Sequence, residues 1–136
     1  MATISINTTV NKDIQTVWNN YTQPDHITGW NFASDDWCCP RAENDLRVGG
    51  KYKARMDAKD GSFGFDFETT YDEVIPHQLI RYTMADGRKA TILFSENENA
   101  TTITIDFEAE TMNSEDLQRQ GWQAILNNFK VYTETH

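Results

Sequence analysis

The sequence predicts an α+β domain: a curved antiparallel sheet wrapped around one long C-terminal helix, with two short helices after the first strand. Three observations lead there. Segments of period-two alternation recur through the middle of the chain and are separated by Asp-Gly and other short turn signals. Beyond Ser114 the apolar spacing changes to three and four, as in an amphipathic helix. Aromatic residues make up 12% of a chain that is only 38% hydrophobic, so rings are the main core material and are bulky enough to wall a cavity. A sheet and a helix with one apolar side each bury those sides against one another. With 136 residues, a single domain spanning 1–136 can bury a real core.

The elements follow in order. Residues 3–9, Thr-Ile-Ser-Ile-Asn-Thr-Thr, alternate as a first strand. Asn11 is the expected N-cap of a helix carrying Ile14, Val17, Trp18 and Tyr21, which ends at Gln23 because Pro24 follows. Residues 24–30 read as a second short helix with Pro24 in its first turn. Residues 31–40 are irregular, and a short strand is expected over 39–43. Residues 50–57 form a strand in which charges alternate with Tyr52, Ala54 and Met56. Asp60-Gly61 marks a hairpin turn into a strand over 63–71. Strands over 78–84, 89–95 and 101–109 follow, with turns at Asp86-Gly87 and Glu96–Asn99. Ser114 caps a helix expected over 115–134, the longest element.

The pair Gly49-Gly50 precedes the 50–57 strand. Two adjacent glycines cost backbone entropy, so they mark an unusual conformation or a close approach. No GxGxxG or P-loop surrounds them, so a bend of protein against protein is expected rather than a phosphate cradle.

The run Trp37-Cys38-Cys39-Pro40-Arg41-Ala42-Glu43-Asn44-Asp45-Leu46-Arg47-Val48-Gly49-Gly50 resembles a signature of the activator-of-heat-shock-protein-90-ATPase-like family. That family belongs to the START/Bet v 1-like (SRPBCC) superfamily with a helix-grip fold. Residues 60–67, the 121–129 helix segment, and the first strand followed by Val17-Trp18 and Pro24 are similar as well, so the resemblance spans the whole chain. It implies a hydrophobic cavity between sheet and C-terminal helix. Relatives in the superfamily carry lipids, sterols and polyketides, and some are cyclases or hydrolases. The co-chaperone that names the family has a further N-terminal domain, for which 136 residues leave no room, so the name transfers poorly as a function.

Charge and motifs narrow the classes. The net charge of −9 disfavours nucleic acid, whose binding relies on phosphate neutralisation, and anionic membrane surfaces. No apolar run nears the roughly 20 residues of a membrane span, and residues 1–6 lack the regions of a secretion signal. Adjacent Cys38 and Cys39 cannot form an unstrained bridge and fit a reducing cytoplasm. They read as small apolar residues at a strand start, with a reactive thiol or metal capture as sharper alternatives.

His26, His77 and His136 have no metal-ligand spacing, and no Gly-x-Ser-x-Gly elbow is present, so no metal, cofactor or catalytic residue is assigned. Asp66 and Glu68 alternate with phenylalanines and should face solvent. Asp35-Asp36 reads as turn chemistry rather than a catalytic acid.

The aromatic pattern carries the site expectation. Tyr52 and Met56 share a strand face, as do Phe63, Phe65 and Phe67. Trp122, Ile125 and Phe129 line one helix stripe, and Trp30 and Trp37 lie in or beside the loop expected to cover one end. With Tyr82 and Phe94, the expected ligand-binding set is Trp30, Trp37, Tyr52, Met56, Phe65, Phe67, Tyr82, Phe94, Trp122, Ile125 and Phe129. Tyr52, Tyr82 and Arg81 are the candidate polar tips, although Arg81 and Tyr82 must face opposite sides of a regular strand. A filled core and a walled cavity both fit this pattern. The leading expectation is a cytoplasmic binding module for a small apolar molecule, as a monomer or homodimer. The alternatives are a polyketide cyclase- or hydrolase-like enzyme, or a co-chaperone-type interaction module with a chaperone partner.

Overall fold

The computed structural model describes residues 2–135. Met1 and His136 fall outside them, so the sequence reading of His136 as a residue without metal-ligand spacing lies outside the described residues. β1 (Thr3–Val10) leads into α1 (Ile14–Thr22) and α2 (Pro24–Ile27), then β2 (Trp37–Cys38), β3 (Ala42–Asn44), β4 (Lys51–Ala58) and β5 (Gly64–Ile75). β6 (Leu79–Met84), β7 (Lys89–Asn97), β8 (Ala100–Glu108) and α3 (Glu115–Thr135) complete the order. The strands form one antiparallel sheet in the order β1-β8-β7-β6-β5-β4-β2, with β3 also paired to β4. The α+β helix-grip architecture expected from the sequence is present, with α3 across the sheet's concave face.

Local chemistry corrects several boundaries. The N-cap of α1 is Asp13, not Asn11: its carboxylate accepts from the Thr16 backbone N–H at 3.2 Å and from the Thr16 hydroxyl at 2.6 Å. Asn11 instead donates its backbone N–H to Glu134. The strand expected over 39–43 is two strands, because Pro40 has no N–H to give a ladder. The Arg55 N–H reaches the Arg41 carbonyl across that gap at 3.0 Å. β5 begins after Phe63 and runs on to Ile75, with a bulge between Tyr71 and Glu73 that bends the strand and raises its twist.

The glycine pair sits opposite that bulge. The Gly49 N–H donates to the Tyr71 carbonyl at 2.9 Å, and the Tyr71 N–H donates to the Gly50 carbonyl at 3.0 Å. Gly49 has φ +83° with open space around it, whereas Gly50 has another backbone pressed against it. Conformation and close approach are thus divided between the two residues. The protein-against-protein approach expected of the pair is found at Gly50 and not at Gly49. Gly49→Val is expected to cost about 1–3 kcal/mol through backbone strain alone, because a β-branched residue disfavours positive φ. A thermal melt matching the parent's would show that the left-handed conformation is not required.

α3 is tied to one side of the sheet. Gln123 donates to the Asn7 carbonyl at 3.1 Å, Lys130 donates to the Thr9 carbonyl, and Glu134 accepts from Asn11 at 2.9 Å. The Ser114 hydroxyl accepts from the Leu117 N–H at 3.1 Å, as the sequence predicts for its cap. The helix therefore lies against β1 and stands away from β4 and β5. The core divides accordingly. A main cluster runs from β1 through β8, and a smaller one holds Cys39, Ala54 and Met56. Tyr52, Phe67 and Ile125 touch both clusters.

Candidate functional site

A cavity of about 300 Å³ lies between those clusters, under α3. Parity along the strands decides which side chains reach it. Met56 enters from β4, and Phe65, Phe67 and Tyr71 from β5. Ile80 and Tyr82 on β6, Ile92 on β7 and Ile105 on β8 supply the floor. Trp122, Ile125 and Leu126 form the helical wall, and Tyr21 and Trp30 close the end nearest the short helices.

Aromatic contacts fix the walls. Trp122 stacks on Phe107 with ring centroids 4.0 Å apart, and Phe67 stands edge-on to both Trp122 and Tyr82. At the opposite end Tyr21 stacks on Trp30 at 5.1 Å, and Phe129 stands edge-on to both. The Trp30 indole N–H donates to the Asn20 carbonyl at 3.0 Å, which holds the ring in place.

Of the expected residues, Trp30, Tyr52, Met56, Phe65, Phe67, Tyr82, Trp122 and Ile125 line the cavity together. Three do not. Phe94 packs edge-on against Trp18 and Tyr21, and Phe129 is fully buried behind Tyr21 and Trp30. Both are core rings that back the wall. Trp37 lies outside, half-buried and edge-on to Phe63 and Phe65, the exposed rings of an aromatic rim. Arg81 faces solvent and pairs with Glu73 at 3.1 Å, so it supplies no polar tip.

The polar tips are mostly tyrosines. The Tyr52 hydroxyl accepts from Asn31 at 2.9 Å. The Tyr71 hydroxyl donates to Asn44 at 2.6 Å, and Asn44 in turn donates to the Thr22 carbonyl at 2.7 Å. Burial is the largest cause that raises the pKa of Tyr21, Tyr52, Tyr71 and Tyr82, and mutual repulsion adds to it for Tyr21, Tyr52 and Tyr82. All four phenols are neutral at pH 7 and act as hydrogen-bonding groups rather than bases. Tyr21, Tyr71, Asn31 and Arg88 were not among the expected site residues. Two of them carried a signal: Tyr21 lies on the apolar stripe of α1, and Arg88 is in phase with Ala90 and Ile92.

Thr69 shares the concave face of β5 with Phe67 and Tyr71. It is 2% exposed, and its hydroxyl oxygen has no hydrogen-bond partner among the described residues. Thr69→Val keeps the shape and removes the unpaired oxygen, so stability is expected to rise by about 1 kcal/mol. A urea midpoint that falls instead would mean the hydroxyl is satisfied in solution.

The other candidates have structural places. Asp66 and Glu68 are exposed beside Lys53 at 3.9 Å. Asp35 and Asp36 are exposed, and Asp36 accepts from Ser34. Cys39 is buried, and burial pushes its thiol up to about 11, which makes it a poor nucleophile at neutral pH. His26 bonds the Tyr132 hydroxyl at 2.8 Å, and His77 stands edge-on to Trp18. Among the described residues no three His, Cys, Asp or Glu side chains gather as a metal site, and no helix is long and apolar enough to cross a membrane.

The fold has known counterparts. A solution structure of an AHSA1-like protein from Aeromonas hydrophila is 40% identical and superposes with a TM-score of 0.93, covering 98% of this chain and 93% of its own. A solution structure from Cytophaga hutchinsonii is 46% identical with a TM-score of 0.84, covering 97% and 92%. A crystal structure from Chromobacterium violaceum, 23% identical, shares the fold with a TM-score of 0.87 over 98% and 99%. No match is found among curated proteins. The family described as "Activator of Hsp90 ATPase homolog 1-like protein" matches residues 11–134, and the chain belongs to that family.

Proposed function

We propose that this protein binds a small, largely apolar molecule in the cavity between the sheet and α3. The observation that carries the reading is the cavity itself. Its aromatic and aliphatic walls hold a few converging hydroxyl and amide tips, which is the composition of a small-molecule site. Its volume lies at the small end of the usual range of about 300–1,000 Å³. The side chains lining it include no carboxylate, histidine, lysine or cysteine. A general base working near neutral pH is therefore not among them, and binding is favoured over a cyclase- or hydrolase-type reaction. The adjacent unbridged thiols suit a reducing compartment such as the cytoplasm. One observation favours an interaction module as the second reading: the rim of Trp37, Phe63 and Phe65, where Phe63 is 62% exposed.

Trp122 separates the two readings. Its ring is only half-buried and forms cavity wall, so Trp122→Ala is expected to cost less than the about 3–5 kcal/mol of a fully packed large aromatic. The neutral fluorophore N-phenyl-1-naphthylamine should bind the parent, and its affinity should change in the variant. A full packing penalty, together with a parent that ignores the fluorophore, would sink the ligand site and leave the exposed rim as the functional surface.

A further inference from the structure

The cavity carries one formal charge, and it is positive. In a chain of net charge −9, the single ionised side chain lining the cavity is Arg88. It stands one residue before β7, in phase with Ala90, Ile92 and Phe94, all of which are buried. Its side chain is 18% exposed, whereas that of Asp86, its ion-pair partner at 2.7 Å, is 53% exposed. The counter-charge is thus held in solvent, while Arg88 itself lines the cavity. Arg88 Nε is committed to Asp86 and Nη1 to the Glu108 carbonyl at 3.0 Å, which leaves Nη2 for another acceptor.

Neighbouring hydroxyls have the same polarity. Tyr82 pairs with Ala90 across the β6–β7 ladder, so it is the diagonal neighbour of Arg88 on the same face. The Tyr82 hydroxyl has no hydrogen bond from the described residues, although the ring is 8% exposed. The Tyr52 oxygen already accepts from Asn31, so its own proton is free to be donated. Arg88, Tyr52 and Tyr82 therefore bring N–H and O–H donors to the cavity wall for which the described residues supply no acceptor. A ligand that brings only hydrocarbon leaves them unpaired, and unpaired buried polar groups are costly.

We infer that the ligand is an amphipathic monoanion, with an apolar body among the aromatic walls and one carboxylate- or sulfonate-like head against Arg88 and the Tyr82 hydroxyl. This rests on the cavity being a ligand site. The rival role for Arg88 is purely structural, bracing the β6–β7 turn through Asp86 and Glu108.

The test uses two fluorophores that share one skeleton: 1-anilinonaphthalene-8-sulfonate, an anion, and neutral N-phenyl-1-naphthylamine. Both should bind the full chain. Arg88→Met should weaken the sulfonate by about ten-fold or more, the factor for one lost hydrogen bond to a charged group, and leave the neutral amine within about two-fold. Tyr82→Phe, which keeps the ring, should weaken the sulfonate alone by a smaller factor. On the unaltered protein, decanoate should displace the neutral amine at lower concentration than decan-1-ol. Equal losses of both probes in Arg88→Met, or no loss of either, would overturn the inference and assign Arg88 the bracing role, with the apolar site intact. If Arg88→Met does not fold, the Tyr82→Phe split and the decanoate comparison decide, and decan-1-ol matching decanoate overturns the inference. A parent that binds neither fluorophore overturns the cavity reading with it.

Discussion

Phe129→Ala is expected to lose about 3–5 kcal/mol of stability, the cost of a large buried aromatic whose surroundings cannot collapse. Phe129 is fully buried on the inner stripe of α3. Tyr21 and Trp30 meet it edge-on at 5.1 and 5.0 Å, and those two rings stack on each other. Trp30 is pinned by its bond to the Asn20 carbonyl, so the rings cannot slide into the space that Phe129 vacates. The void left behind would adjoin the cavity at the wall formed by Tyr21 and Trp30. Urea denaturation of parent and variant reads the loss as a lower midpoint at unchanged slope. A loss no greater than that of Trp122→Ala would mean that Phe129 is cavity wall after all, as its helical spacing suggested.

The contrast between Phe129 and Trp122 shows what the sequence could and could not say. Both residues lie on the apolar stripe of α3, and the three-and-four spacing marks both as facing the sheet. Spacing does not say what the sheet offers opposite. Trp122 meets Phe107 and the cavity, and Phe129 meets the rings brought by α1 and the loop after α2. The same limit applies on β7. Period two correctly turns Phe94 inward, but Trp18 and Tyr21 fill the place it faces. Arg88 was hidden for a different reason. A charge one residue past Asp86-Gly87 reads as turn chemistry, although its phase with Ala90, Ile92 and Phe94 pointed inward throughout. Strands and the long helix were legible because their periods and turn residues are local. Docking of α1 over one end of the sheet is long-range, and it decides which inward rings are wall and which are filling.

Gly50→Ala is expected to cost about 3 kcal/mol or more, combining overpacking with the loss of turn hydrogen bonds. A Cβ built on Gly50 would lie 2.0 Å from the Asp45 carbonyl oxygen and 3.0 Å from that of Arg47. Both are backbone atoms, so no flexible side chain can swing aside. The Asp45 carbonyl accepts from the Arg47 N–H at 2.8 Å, and the Arg47 carbonyl accepts from the Gly50 N–H at 2.8 Å. Moving either one opens the turn that feeds β4. Gly50 also pairs with Tyr71 at the bulge of β5, and Tyr71 both lines the cavity and donates to Asn44. The strain therefore has a path to the site. Gly49→Val, strained only in φ, should lose less and leave binding of N-phenyl-1-naphthylamine near the parent's. Gly50→Ala should melt at a lower temperature than Gly49→Val and also weaken that binding. If Gly50→Ala proves as stable as the parent, the turn at Asp45–Gly50 tolerates a shift of its backbone. The close approach would then not be the reason that a second glycine stands there.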